Sequence, residues 1–205
     1  MNVPYARQFN GYSCFPACVS MVLKFYGQEI DQKNLYRKSV LMDPTNKESL
    51  GCWDATIMLA MKDKKYLMEI WSDPKRNVEL TKTSKFIFRM YKPKLEKAKK
   101  LGLIKEHKNA DIKLIKNLLK KGIPVIPEIH SRTWYNKKNI NNESTHTVVI
   151  LGYKGKNFIV HDPFMSYYKK NGKSIKISFD HFKKAWEAPP YYKNNISIIV
   201  KMRNN

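Results

Sequence analysis

Three thiols are available for chemistry, Cys14, Cys18 and Cys52. A thiol becomes a good nucleophile when its surroundings favour the thiolate and a base lies nearby. Cys14 opens a segment with helical spacing, where the helix dipole and the unpaired first N–H groups favour negative charge. Cys18 lies one turn further on, on the apolar face, and reads as a small core residue. Cys52, between Gly51 and Trp53, carries no comparable signal. An odd count argues against a pure disulfide framework, a four-residue spacing is not a usual bridge geometry, and free thiols fit a reducing compartment. If one cysteine reacts, it is Cys14.

A base and a carboxylate come from a pair of apolar runs, His146 to Gly152 and Lys156 to Asp162. The intervening Tyr153-Lys154-Gly155 reads as a three-residue hairpin loop, with Gly155 suited to a left-handed position. That turn would pair Gly152 with Lys156, Ile150 with Phe158, Val148 with Val160 and His146 with Asp162. Directly opposed residues share a face, so the register sets a carboxylate beside an imidazole; a one-residue slip would undo it. Taken alone, such a pair is more often only a surface hydrogen bond. His161 neighbours Asp162, and strand alternation sends it to the other face. His130 follows a strand and reads as exposed loop chemistry, while His107 and His181 sit in charged, helix-like surroundings and read as solvated. No C-x-x-C or H-E-x-x-H spacing supports zinc, so no metal or cofactor is expected.

The elements that must position these residues follow from periodicity. Apolar residues at 14, 18, 21, 22 and 25 predict a helix from Cys14 to Tyr26, with Ser13 as its cap and Gly27 as its close. Pro16 is tolerated in the first turn, where backbone N–H groups have no intrahelical acceptor. Trp53 to Met61 reads as a short helix, Tyr66 to Trp71 as a strand, and Ser84 to Leu101 as a helix interrupted at Pro93. Asp111 to Lys121 is amphipathic, with Ile112, Ile115, Leu118 and Leu119 on one face and Gly122 at its end. Beyond it the period becomes β. Ile123 to Ile129, with Pro124 and Pro127, suits an edge or interrupted strand, and Ile175 to Phe179 and Ile196 to Met202 complete about five strands. A helical lobe over about 1–122 followed by an antiparallel sheet over about 123–205 is an α+β architecture.

The 205 residues fit one domain, long enough to bury a core without disulfide staples. An apolar fraction of 42% places the chain among globular sequences. No apolar run approaches the roughly 18 residues needed to span a bilayer, and the first residues lack the pattern of a secretory signal. The expected location is cytoplasmic. The net charge of +22, from 39 Lys and Arg against 17 Asp and Glu, admits a nucleic-acid partner. The basic residues are scattered rather than gathered in one stripe, which favours a lysine-rich solvated surface instead.

Three blocks resemble the bacteriocin-processing, double-glycine leader peptidases and their stand-alone relatives, a branch of the papain-like superfamily. They are Gln8 to Gly27 (QFNGYSCFPACVSMVLKFYG), His146 to Tyr153 (HTVVILGY) and His161-Asp162-Pro163. In that family a Gln six residues before the Cys supplies an oxyanion donor, and Gln8 stands at that spacing from Cys14. The family's His opens a strand and its Asp precedes a Pro about sixteen residues later, as His146 and Asp162-Pro163 do. Phe179 to Trp186 resembles the late Phe-x-x-x-Trp helix of stand-alone members. The likeness covers both ends of the chain, while about 28–110 match only in helical character. Ser13 and Phe15 replace the acidic residue and Gly that often flank the family's Cys, and Phe15 would narrow the approach to the thiol.

The resemblance implies a papain-like fold and a cysteine peptidase or amidase acting on a peptide or protein. Cys14 would be the nucleophile, His146 the base, Asp162 its orienter and Gln8 an oxyanion donor. Asn at 162 would be expected to retain function, because an amide oxygen can still accept from the imidazole. The same thioester would equally serve an acyltransferase with an amine acceptor. A degenerate member would be a non-catalytic module that only grips a peptide or nucleic acid.

Overall fold

The computed structural model describes residues 1–63, 66–72, 82–137, 144–164, 171–188 and 196–201. In chain order the elements are α1 (Cys14–Phe25), α2 (Gln32–Ser39), β1 (Val40–Met42), β2 (Ser49–Cys52), α3 (Asp54–Ala60), β3 (Tyr66–Ser72), α4 (Lys82–Lys100) and β4 (Ile104–Lys108). They continue with α5 (Ile112–Lys120), β5 (Ile126–His130), α6 (Ser131–Tyr135), β6 (Thr145–Thr147), β7 (Val149–Lys154), β8 (Asn157–His161), β9 (Ile175–Ser178), α7 (Phe179–Trp186) and β10 (Ile196–Lys201). Met202, the expected end of the last strand, lies outside the described residues.

α1 is the central helix. Ala17, Cys18, Val19, Val22 and Leu23 are fully buried, and Val19, Val22 and Leu23 each contribute about 1.5–3 kcal/mol. Gly27 ends the helix as its sequence implies. At φ 79° it takes the left-handed conformation, and Gly27 N–H and Gln28 N–H donate to the carbonyls of Lys24 (3.0 Å) and Leu23 (2.9 Å), the bonds of a Schellman close. Ser13 does not cap the start. Its hydroxyl instead accepts from the N–H groups of Phe9 and Asn10, both at 3.1 Å, folding the preceding loop. Pro93 does not interrupt α4, which runs through it.

Three sheets carry the strands: β1-β2, the five-stranded β4-β3-β10-β5-β6, and β7-β8-β9. The fold is α+β and papain-like. Two strands of the largest sheet come from residues 1–122, the stretch expected to be mainly helical. β3 pairs antiparallel with β10 and parallel with β4, whose charged sequence, IKEHK, gave no strand signal. β5 is an interior strand rather than an edge. Pro127 has no N–H to give, and the β5–β10 ladder extends over only the Ile196–Pro127 and Ser197–Ile126 pairs.

The run from His146 to Gly152 is two strands in two sheets. β6 pairs with β5, His146 lying opposite Ile129; the chain breaks at Val148 and continues as β7 against β8. β7 separates two cores: Val149 and Leu151 join one with α1, while Val148 and Ile150 on either side join the other with Phe158 and Phe182. The hairpin turn is Gly155-Lys156, a two-residue loop with Gly155 at φ 58°. A bulge between Ile150 and Gly152 shifts the register again, so Ile150 faces Val160 and Val149 faces His161. The expected pairing of Ile150 with Phe158 is therefore two residues out.

Candidate active site

Cys14 occupies the first position of α1, partly exposed, at the point where the helix packs against β6. The Ser13 hydroxyl is engaged upstream, which leaves the first N–H groups of the helix without a side-chain cap. The His146 imidazole acts on Cys14 electrostatically. Burial pushes the Cys14 thiol up, but the influence of His146 and of the side chain and backbone of Thr147 outweighs it, so its pKa lies below the ordinary value. Burial drives the other thiols the opposite way: Cys18 is held well above the normal range and Cys52 is pushed up to about 12. Cys18 Sγ donates to the carbonyl of Thr147 at 3.4 Å, and Cys52 accepts from the Ser39 hydroxyl at 3.3 Å.

His146 Nε2 lies 2.9 Å from Asp162 Oδ1, both groups buried. With Nε2 committed to the carboxylate, Nδ1 is the ring nitrogen left for the thiol. Burial alone would lower the His146 pKa. The Asp162 charge and hydrogen bond, followed by the influence of Cys14, raise it to about 10. A thiol lowered and an imidazole raised are the two shifts that favour thiolate–imidazolium pairing. The sequence places these two side chains together for the wrong local reason. His146 is not cross-strand from Asp162; it reaches the carboxylate across the junction of two sheets, from β6 to the end of β8.

Asp162 is fully buried, and burial would raise its pKa. The His146 charge and hydrogen bond, with donors from Phe164 and Trp134, hold it below the usual range instead. Phe164 N–H reaches Oδ1 at 2.9 Å, Trp134 Nε1 reaches Oδ2 at 2.8 Å, and the Tyr135 hydroxyl lies 3.1–3.2 Å from both oxygens. Trp134 and Tyr135 are adjacent on α6 and were not singled out from the sequence. The one available signal was a Trp-Tyr pair just after an apolar strand. Gly172 was also missed: its carbonyl accepts from Asp162 N–H at 2.9 Å, and a Cβ there would meet the Asp162 carbonyl oxygen at 1.9 Å.

Gln8 is buried, and its backbone N–H donates to the carbonyl of Pro163 at 3.1 Å. This bond ties the Gln8 loop to the Asp162-Pro163 segment. One N–H of its amide donates to Asn10 O at 2.8 Å; an amide nitrogen carries a second. Phe15, expected to narrow the approach to the thiol, is buried in the core cluster beside Cys18 and Val19.

Glu128 is a further carboxyl at the site. It lies on β5 opposite Thr147 of β6. Burial raises its pKa to about 7; the Thr145 side chain opposes this, and the charges of Asp54 and Cys14 add to it. Asp54, whose pKa is also raised by burial, accepts a short hydrogen bond from the Tyr91 hydroxyl.

The other histidines have structural surroundings. His161 faces away from the thiol, donating from Nε2 to Val3 O and accepting at Nδ1 from Ser174 N–H, both at 2.9 Å. His107 is not solvated: it stacks on Trp71 with ring centroids 4.2 Å apart. His130 is buried rather than loop-exposed, and His181 donates to the carbonyl of Trp134 at 2.9 Å. On α7, Phe182 and Trp186 stack in the core, as the late Phe-x-x-x-Trp pattern implies. Among the described residues no helix is long and apolar enough to cross a membrane.

Comparison with known proteins bears on the family and the fold. The Peptidase_C39 like family matches residues 1–193. No curated protein matches the chain. Among solved structures, a C39-like peptidase from Bacillus anthracis superposes with a TM-score of 0.58 at 15% identity, covering 98% of this chain and 96% of its own. A double-glycine motif protease from an AMS/PCAT transporter, solved with a leader peptide, gives 0.51 at 16% identity over 97% and 91%. The peptidase domain of Streptococcus ComA, a bifunctional ABC transporter, gives 0.52 at 15% identity over 96% and 97%. At these identities the structural matches speak to the fold, and the family match speaks to the chemistry: the chain belongs to the Peptidase_C39 like family and is a cysteine peptidase.

Proposed function

We propose that the chain hydrolyses a peptide bond through a thioester on Cys14, with His146 as acid and base, Asp162 as its orienter and Gln8 as an oxyanion donor. The observation that carries this reading is the continuous chain from Cys14 through His146 to Asp162, in which the thiol is driven toward thiolate and the imidazole toward imidazolium. His146 takes the thiol proton as the thiolate forms. The thiolate attacks the scissile carbonyl carbon, and the π electrons move onto oxygen. That oxyanion is met by the Cys14 backbone N–H and the second amide N–H of Gln8. Collapse breaks the C–N bond as His146 gives its proton to the departing amine. Water, deprotonated by His146, then attacks the thioester, releasing the acid and restoring the pair. Asp162 fixes the ring and stabilises its charged form.

A peptide substrate is supported by the fold-related double-glycine motif protease, which was solved with a leader peptide. The test is a thiol-directed probe followed by mass mapping, then turnover on a peptide library in isotope-labelled water. Cys14 should be modified far ahead of Cys18 and Cys52, and the new carboxyl should carry the label. Gln8→Ala should slow turnover about a hundredfold or more while leaving alkylation of Cys14 nearly unchanged, since an oxyanion donor acts only in the transition state. Turnover surviving in Cys14→Ala would sink the assignment, and unlabelled products joined to an added amine would favour acyl transfer.

A further inference from the structure

The loop that carries Gln8 is built around one hydroxyl. Ser13 is fully buried, and a serine hydroxyl offers one donor and two acceptor lone pairs. All three are used. Ser13 Oγ accepts from the N–H groups of Phe9 and Asn10, each at 3.1 Å, and donates to the Asn10 carbonyl at 3.2 Å. The Asn10 side chain closes the same turn in an exposed bond, its Oδ1 accepting from Tyr12 N–H at 3.0 Å.

The Asn10 carbonyl in turn determines how the Gln8 amide lies. It accepts from Gln8 Nε2 at 2.8 Å, while Gln8 Oε1 is buried and has no hydrogen-bond partner among the described residues. Only the nitrogen end of a primary amide can face a carbonyl oxygen, because the other end would set acceptor against acceptor. The bond to Asn10 O therefore fixes which end of the amide points where, and no bond at Oε1 helps to hold it. With the amide held this way, its second N–H is kept for the oxyanion.

We propose that Ser13 is a positioning residue for the oxyanion donor, acting through the Asn10 carbonyl on the Gln8 amide; this rests on Gln8 being that donor. Without the hydroxyl, Asn10 loses a partner at both its N–H and its carbonyl. The Ser13 N–H remains on that carbonyl, at the longer distance of 3.5 Å. The carbonyl is then free to turn. A half-turn of the amide would present Oε1, an acceptor, to a developing negative charge. The effect falls on the transition state, where an oxyanion donor acts.

The experiment compares two reactions of Cys14 in the full chain, with Cys14→Ala as the blank for the other thiols. Iodoacetamide alkylates the thiolate by displacing iodide from a saturated carbon, and no oxyanion forms. With p-nitrophenyl acetate the sulfur bonds to the ester carbonyl carbon and the π electrons move onto oxygen. Collapse then breaks the C–O bond and releases p-nitrophenolate. Gln8→Ala should slow acylation about tenfold or more and leave alkylation unchanged. Ser13→Ala should slow acylation by about tenfold as well, with alkylation again unchanged. Added to Gln8→Ala it should cost nothing further, because the donor it positions is gone. Asn10→Ala removes only the Oδ1 bond of a half-buried residue, so it should show the same selective loss in smaller measure even if Ser13→Ala does not fold. Acylation by Ser13→Ala or Asn10→Ala at the parent rate overturns the proposal. So does alkylation that falls along with acylation, or a further loss in the Gln8→Ala background. Unchanged acylation in Gln8→Ala alone overturns the reading of Gln8 itself, and the role of Ser13 with it.

Discussion

Replacing Asp162 with Asn preserves shape and removes one charge, and the structure makes its cost calculable. Asp162 accepts from His146 Nε2 and Phe164 N–H at Oδ1, from Trp134 Nε1 at Oδ2, and from Tyr135 at both. An amide supplies one acceptor oxygen. If that oxygen serves His146 and Phe164, the NH2 faces the indole N–H. Tyr135 can rotate its hydroxyl to accept, but Trp134 cannot. A buried donor left facing a donor costs about 1–3 kcal/mol, and stripping the charge partner from a buried imidazolium costs about 3–5 kcal/mol when it cannot relax. The imidazole does relax, by losing its proton, so a net loss of about 3 kcal/mol is expected. That is a large fraction of a typical stability of about 5–15 kcal/mol but leaves the chain folded.

The kinetic effect follows from the same charge. Without Asp162 the desolvation of His146 is unopposed by its strongest partner, and the imidazolium no longer holds the thiolate. A thiol of ordinary pKa is only roughly 3% ionised at pH 7. Alkylation of Cys14 by iodoacetamide at pH 7 should therefore slow toward the rate of an ordinary thiol, with the acid limb of its pH profile moving upward. Urea unfolding and the alkylation profile are the two assays. A profile superimposable on the parent, with stability within about 0.5 kcal/mol, would refute the reasoning. The expectation that Asn retains function treats the carboxylate as a single acceptor, whereas this one also serves an indole and a phenol.

Activity and Cys14 alkylation should hold a plateau across neutral pH. The acid limb belongs to the lowered Cys14 and the basic limb to the raised His146, near pH 10, with both limbs being properties of the coupled pair. For stability the His146 sign is fixed: its contribution is complete below about pH 6.5, the unfolded value, and is lost as pH rises through about 10. Urea midpoints that rise between pH 7 and 10 in the parent relative to His146→Ala would contradict it. Glu128, with its pKa near 7, adds a negative charge beside Cys14 as it ionises; Glu128→Gln should therefore remove an inflection near pH 7 from the Cys14 alkylation profile, and an unchanged profile would separate the two groups electrostatically. Gly172→Ala drives a Cβ to 1.9 Å from the Asp162 carbonyl oxygen, so it should cost about 1–3 kcal/mol through overpacking and slow Cys14 alkylation; thermal melting and alkylation rate within error of the parent would show that the segment yields freely.

What the sequence by itself determined was local. The bounds of α1 and α5 followed from a 3.6-residue period closed by Gly27 and Gly122, because helix hydrogen bonds join residues four apart. The distinction between Cys14 and the other two thiols followed from its place at a helix start. The order Gln8, Cys14, His146, Asp162 was legible because each stands in a block of characteristic spacing. Tertiary structure decided what depends on distant pairing. The Gly155-Lys156 turn and the bulge before Gly152 reset the β7–β8 register, and period-2 patterning cannot detect a shift by two, which returns the same faces. The charged β4 became a strand because β3 offered it an unpaired edge. The placement of His146 beside Asp162 depends on two sheets meeting, and the cradle of Trp134, Tyr135 and Gly172 around that carboxylate joins segments 28 and 10 residues away in sequence. No local pattern encodes such contacts, because they form only where the two packed cores bring α6 and the chain after β8 together.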